Sequence, residues 1–228
     1  MDDNMYVASC SFGKDSIATI LLALEHNEPL DRVVFAEVMF DHKRGISGEI
    51  PEHIEWIYST AIPKLESMGV KVDVVRSNKD YLYFFSKCRR GGQYKGKLYS
   101  FPIGGRCVIN RECKINPIRA YYKGLNGSVV QYIGIAKDEP IRLRRLKDNQ
   151  ISLLDKYGYT EDMAKGLCRE NGLLSPIYQS GNKVGVFSAR TASTLHFIHS
   201  AVNTLTYGVN LWSWGKRQTF ALMALSMD

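Results

Sequence analysis

The chain lacks the marks of a membrane or secreted protein. No apolar run approaches the roughly 18 residues that a membrane-spanning helix needs. The opening MDDNMY is acidic and polar where a secretory leader is basic and then apolar. The expectation is a cytoplasmic protein with no membrane partner. Cysteine is sparse: Cys10, Cys88, Cys107, Cys113 and Cys168 form an odd, scattered set without a Cys-x-x-Cys pair. That excludes an evenly bridged secreted framework and leaves thiols or metal ligands; Cys10, at the end of an apolar run, reads as core packing. No internal repeat is present, and no linker divides the chain into independent domains. The long glycine loop ending in Gly-Lys-Ser/Thr is absent too.

What is there is a chain of 228 residues, 45% hydrophobic and 23% charged, long enough to bury a full core. Its net charge of +7 favours polyanionic partners without choosing among them. Residues 5–10 read as a short buried strand. Ile17, Ile20, Leu21 and Leu24 share one face of the helix that follows, which Asn27 and Pro29 end. Residues 32–40 read as a second strand, followed by a polar loop from Asp41 to Pro51. A helical pattern over 52–68 is kinked or split by Pro63. Residues 70–75 and 129–136 are the next strands, and Thr160 is placed to cap a helix ending near Gly172. Strands alternating with helices predict an α/β fold, a doubly wound and mostly parallel sheet that takes ligands beyond the carboxyl ends of its strands. Residues 87–97, KCRRGGQYKGK, are basic and glycine-rich and read as a mobile excursion.

The run Ser11-Phe12-Gly13-Lys14-Asp15-Ser16 falls between the first strand and its helix. A helix start points unpaired amides at one spot and adds the positive end of its dipole. Ser11 and Ser16 add hydroxyl donors, Gly13 permits close approach, and Lys14 supplies a full charge. The ligand such a turn suits is a phosphate chain. Asp15 is the odd member, because an acid repels phosphate unless it orients backbone donors or holds a metal.

This run resembles the pyrophosphate-binding loop of the PP-loop ATP-pyrophosphatase superfamily. More of the chain resembles its phosphoadenosine phosphosulfate (PAPS) reductase-like branch, where Phe often stands at the position of Phe12. Asp41 and the Pro51-Glu52 pair match the acid and the Pro-Glu that follow the branch's second strand. RCVINRECKINPIRAYY puts Cys107, Lys114 and Pro117 in the places of its Cys…Lys-x-x-Pro-(Ile/Leu) element. YIGIAKDEPIRLRRL puts Gly134, Asp138, Glu139 and Arg142 in its Gly-Ile…Asp-Glu-x-x-Arg stretch, and LCRENGLLSPIY resembles the segment before its distal cysteine pair.

The likeness runs from about Met5 to Tyr178. It implies an adenine nucleotide alpha hydrolase-like domain over residues 1–182, with an irregular or helical tail at 183–228. It also implies ATP or an adenylyl-sulfate-type nucleotide (adenylyl sulfate or PAPS) as ligand, with room for a Mg ion. Ser11, Phe12, Gly13, Lys14, Asp15, Ser16, Asp41 and Gly134 would surround the nucleotide, and Lys14, Lys114 and Arg142 would take the catalytic positions. Arg144 and Arg145 could add charge but read more simply as a solvated face.

Reductases of this branch attack sulfur with a cysteine in a Glu-Cys-Gly-(Leu/Ile)-His motif near the C-terminus, and the chain has none. Sulfate reduction is therefore not expected; nucleotide binding, with cleavage between the α- and β-phosphates or adenylyl transfer, is. The likeness stops after SPIYQSGNK, where relatives continue into Gly-Cys-x-x-Cys-Pro-Asn and this chain has GVFSARTAS. Codons for Gly-Val-Phe-Ser-Ala-Arg-Thr, read two bases later, can spell Cys-Phe-Phe-Cys-Pro-Asn, which points to a frameshift from about Val184 onward. In a relative with an intact tail, Cys107 and Cys168 would join that pair around an iron–sulfur cluster or a structural zinc. Two thiolates alone make a weak site, and no bound metal is expected here.

His42 and His53 flank the Asp41 loop and read as scattered surface histidines. His196 and His199 have helical spacing but no third ligand, and Trp212 and Trp214 read as packing or exposed tail residues. Three functions follow: a nucleotide-dependent PAPS reductase-like enzyme, a nucleic-acid-modifying sulfurtransferase-like protein whose 87–97 loop tracks a phosphate backbone, or a non-catalytic nucleotide-binding remnant.

Overall fold

The computed structural model describes residues 4–98 and 107–178. The expected boundary at 182, the expected frameshift and the histidines and tryptophans of the tail lie outside them. The described part is an α/β fold. Its sheet has five parallel strands: β1 (Asn4–Cys10), β2 (Arg32–Glu37), β5 (Val72–Arg76), β6 (Ser128–Tyr132) and β7 (Gln150–Ile151), in the order β5-β2-β1-β6-β7. The chain builds outward from β1 to β2 and β5, then returns to the other side of β1 for β6. The order thus reverses between β1 and β6, and the crevice beyond their carboxyl ends is the place such sheets offer to a ligand.

Helix α1 (Lys14–Glu25) fills the first crossover. Ser16 through Ala23 are all buried, because β1 lies on one side of it and α7 (Leu153–Lys156) and α8 (Glu161–Glu170) on the other. Each fully buried Ile or Leu of α1 contributes roughly 1.5–3 kcal/mol, so the helix that presents the 11–16 turn is among the best anchored elements. Thr160 caps α8 by accepting from the Met163 amide at 3.4 Å, as the sequence predicts.

Pro63 and Pro117 are accommodated in the same way. A π turn (57–61) separates α2 (Pro51–Trp56) from α3 (Ile62–Ser67), and the Ile62 amide reaches back to the Ile57 carbonyl just before Pro63. A second π turn (110–115) precedes α5 (Asn116–Lys123), with the Asn116 amide on the Arg111 carbonyl just before Pro117. The wider turn makes room for a ring that neither donates nor tolerates the carbonyl four residues back.

The structure departs from the sequence reading in two strands. The run 32–40 is broken at Val38, whose carbonyl is taken by the Gly48 amide at 2.7 Å. Beyond it β3 (Met39–Asp41) leaves the sheet and pairs antiparallel with β4 (Ile46–Ser47). The run 129–136 ends as a strand at Tyr132, and the rest turns toward α1. The basic segment 87–97 doubles back through a bridge between Cys88 and Leu98, with Tyr94 between the charges of Arg89 and Lys97, 5.5 and 5.6 Å from its ring. Among the described residues no helix is long and apolar enough to cross a membrane.

Candidate functional site

The turn after β1 is held by strain, burial and a serine. Phe12 has φ 57°, unusual for a residue with a side chain. Its ring is fully buried and meets Phe35 edge-on at 5.1 Å, so core packing offsets the cost of the conformation. Phe12 therefore serves the site through its backbone and not as a ligand-facing ring. Ser16 donates to the Gly13 carbonyl at 2.9 Å and accepts from the Ser11 amide at 3.3 Å. Its hydroxyl closes the turn, whereas the Ser11 hydroxyl has no partner among the described residues.

The amides of Gly13, Asp15 and Ser16 also have no acceptor among the described residues. Only the Lys14 amide is taken, by the Tyr178 hydroxyl at 3.0 Å. The Lys14 ammonium lies 2.7 Å from Asp15 and 2.9 Å from Glu161. Burial works against its charge, but the hydrogen bonds and charges of those two carboxylates outweigh burial and hold the ammonium above its usual range. Burial raises the Asp15 carboxyl, and Lys14 only partly offsets it.

Gly134 belongs to this turn for a packing reason. A Cβ at that position would lie 2.8 Å from both the Asp15 carbonyl carbon and the Ser16 nitrogen. The glycine lets the end of β6 close on the first turn of α1.

Lys114 reaches the same neighbourhood from the other side. Tyr122 of α5 is hydrogen-bonded to Ser9 at 2.6 Å and Tyr121 to Asp73 at 2.6 Å, which clamps the helix over β1 and β5. The π turn before it carries Lys114 within electrostatic range of Cys10 and Glu49. Burial lowers its pKa, Glu49 and Cys10 act in the opposite sense, and it makes no hydrogen bond or ion pair among the described residues.

The remaining candidates make other contacts. The Asp41 carboxylate caps its own loop, accepting from the Lys43 and Arg44 amides at 2.9 and 3.2 Å. Arg142, exposed, pairs with Glu139 at 2.5 Å, while the carboxylate of Glu139 also accepts from the Ala136 amide. Cys168 is buried under the turn and donates to the Lys14 carbonyl at 3.1 Å; Cys107 accepts from the Asn110 amide. Burial pushes the thiols of Cys10 and Cys113 up to about 11 and that of Cys168 to about 12. None of these three is a ready thiolate. No group of three potential ligands is gathered among the described residues.

His53 is not the surface residue the sequence suggests. It is 4% exposed, stacked on Trp56, and bridges Ser175 at 2.8 Å to the Ser11 carbonyl at 3.3 Å. Burial lowers its pKa from 6.5 more than the Ser11 carbonyl raises it. A base whose folded pKa is depressed stays neutral while the unfolded chain gains a proton, so stability is lost as pH falls below about 6.5. The thermal midpoint is expected to drop between about pH 7.5 and pH 5.5, and to drop less in His53→Gln; an equal drop in both proteins contradicts the assignment.

Fold and site together describe a parallel α/β sheet whose first strand–turn–helix, at the switch point, presents amides that have no acceptor among the described residues. The chain matches no protein-family model, and no curated protein matches it in sequence.

Proposed function

We propose that the chain binds the phosphate chain of an adenine nucleotide, ATP or an adenylyl-sulfate-type relative, at the 11–16 turn, as the resemblance to PAPS reductase-like proteins implies. The observation that carries this reading is the set of three unclaimed amides at the start of the twelve-residue helix α1, with the unpaired ammonium of Lys114 beside β1's end. Amides without acceptors and a desolvated cation together call for an anion with several oxygens. The choice of adenine rests on the resemblance.

Chemistry at phosphorus suits these residues better than chemistry at sulfur. Lys14 and Lys114 are cations that can stabilise charge on a departing pyrophosphate or adenylate, which is electrostatic work. The raised pKa values of Cys10, Cys113 and Cys168 run against a thiolate nucleophile among them. Asp15 and Glu161 are oxygen donors of the kind Mg favours; a Mg ion carried in by the nucleotide would be held by them and would neutralise phosphate charge. Cys107 and Cys168 belong to no larger donor set among the described residues and do not fit an iron–sulfur cluster there.

Calorimetric titration of the protein with ATP, adenylyl sulfate and PAPS tests the reading. Single-site binding of at least one of them, weakening as salt rises, is the expected result. No heat from any of the three removes it.

A further inference from the structure

Both attractants that the cradle would offer an anion from Lys14 are already occupied by oxygen atoms of the protein. The backbone amide of Lys14 donates to the Tyr178 hydroxyl, and its ammonium is shared between Asp15 and Glu161. The phenol approaches so closely that a Cβ on Gly13 would lie 3.2 Å from its oxygen. Tyr178 ends the short turn Pro176–Tyr178, and Ser175, just before that turn, is tied to His53. His53 in turn meets the Ser11 carbonyl, so the segment is tied to the turn directly through Tyr178 and through His53 at Ser175.

We infer that Tyr178 is a self-inhibitory latch: its hydroxyl holds the seat of a ligand oxygen at the Lys14 amide, and an incoming phosphate must displace it. The inference rests on the nucleotide reading above and adds a regulation to it. The Tyr178 hydroxyl thus occupies the Lys14 amide while the amides on either side of it remain unclaimed among the described residues. Glu161 is the second half of the latch, because it holds the Lys14 ammonium from α8. A ligand that breaks both contacts loosens the Pro176–Tyr178 turn from the start of α1.

Tyr178→Phe keeps the ring and removes only the competing oxygen. A neutral hydrogen bond is worth about 0.5–1.5 kcal/mol net, so the variant should bind ATP or inorganic pyrophosphate about two- to ten-fold more tightly than wild type by calorimetry. Hydrogen exchange of the Lys14 amide, followed without ligand, should be faster in the variant. Tighter binding with faster exchange supports the latch. Wild-type binding that is equal to or tighter than that of Tyr178→Phe overturns the latch and leaves the nucleotide reading standing. Absence of binding in both proteins overturns both. An unchanged Lys14 exchange rate overturns the latch whatever the affinities.

Discussion

Gly134→Ala is expected to lower the thermal midpoint by about 3–10 °C and to abolish nucleotide binding. The added methyl would fall 2.8 Å from the Asp15 carbonyl carbon, 2.8 Å from the Ser16 nitrogen and 2.9 Å from the Asp15 carbonyl oxygen. All three are backbone atoms of the first turn of α1, so no side chain can swing aside. Either the end of β6 or the start of α1 must move, and α1 is buried along nearly its whole length. Overpacking of this kind costs typically 1–3 kcal/mol. The displacement also falls on the amides proposed to hold phosphate, where a shift of a fraction of an ångström spoils several hydrogen bonds together. Gly166→Ala supplies the contrast. Gly166 lies within α8 with nothing near its missing Cβ, so the same substitution there should stabilise by about 0.5–1 kcal/mol. Differential scanning of the two variants checks both signs; similar melting of Gly134→Ala and wild type would contradict the packing account.

Much of this arrangement is written locally. The buried helix after the first strand, the Thr160 cap and the interruption at Pro63 follow from periodicity, a hydroxyl in the right place and a missing amide. The turn at 11–16 is legible for the same reason, since strand, glycine, lysine and helix adjoin in sequence. What surrounds it is not. Tyr178, Glu161 and Ser175 reach Lys14 or His53 across 164, 147 and 122 residues, and nothing in SPIY or in an acidic helix start announces those contacts. Glu161 stands in the first turn of α8, and only the packing of α8 on α1 brings it to an ammonium. His53 reads as exposed because a lone histidine in a polar stretch usually is; the fold buries it by laying α2 beside the Pro176–Tyr178 turn. The split of the second strand was hidden for a related reason. Val38 continues the β-branched pattern, but Glu37 is buried against Arg76 at 2.6 Å and Tyr58 at 2.7 Å, and the chain changes partners just after it.

Lys114 carries the central claim most directly, because burial disfavours its charge and only the through-space attraction of Glu49 and Cys10 works against that cost. Burial lowers its pKa, which means that the protein disfavours its charge, and no carboxylate forms an ion pair with it among the described residues. Replacing such a group with an apolar side chain of similar length relieves desolvation, so Lys114→Met should melt no lower than wild type. Binding should respond in the opposite direction. Loss of a charge-assisted contact to phosphate costs about 1.5–3 kcal/mol, a weakening of roughly ten- to 150-fold in the Kd for ATP. The decisive measurement is therefore the calorimetric Kd for ATP in wild type and Lys114→Met, with the melting of each recorded alongside. The account predicts a variant as stable as its parent that binds at least ten-fold more weakly; an equally stable variant with an unchanged Kd would contradict it.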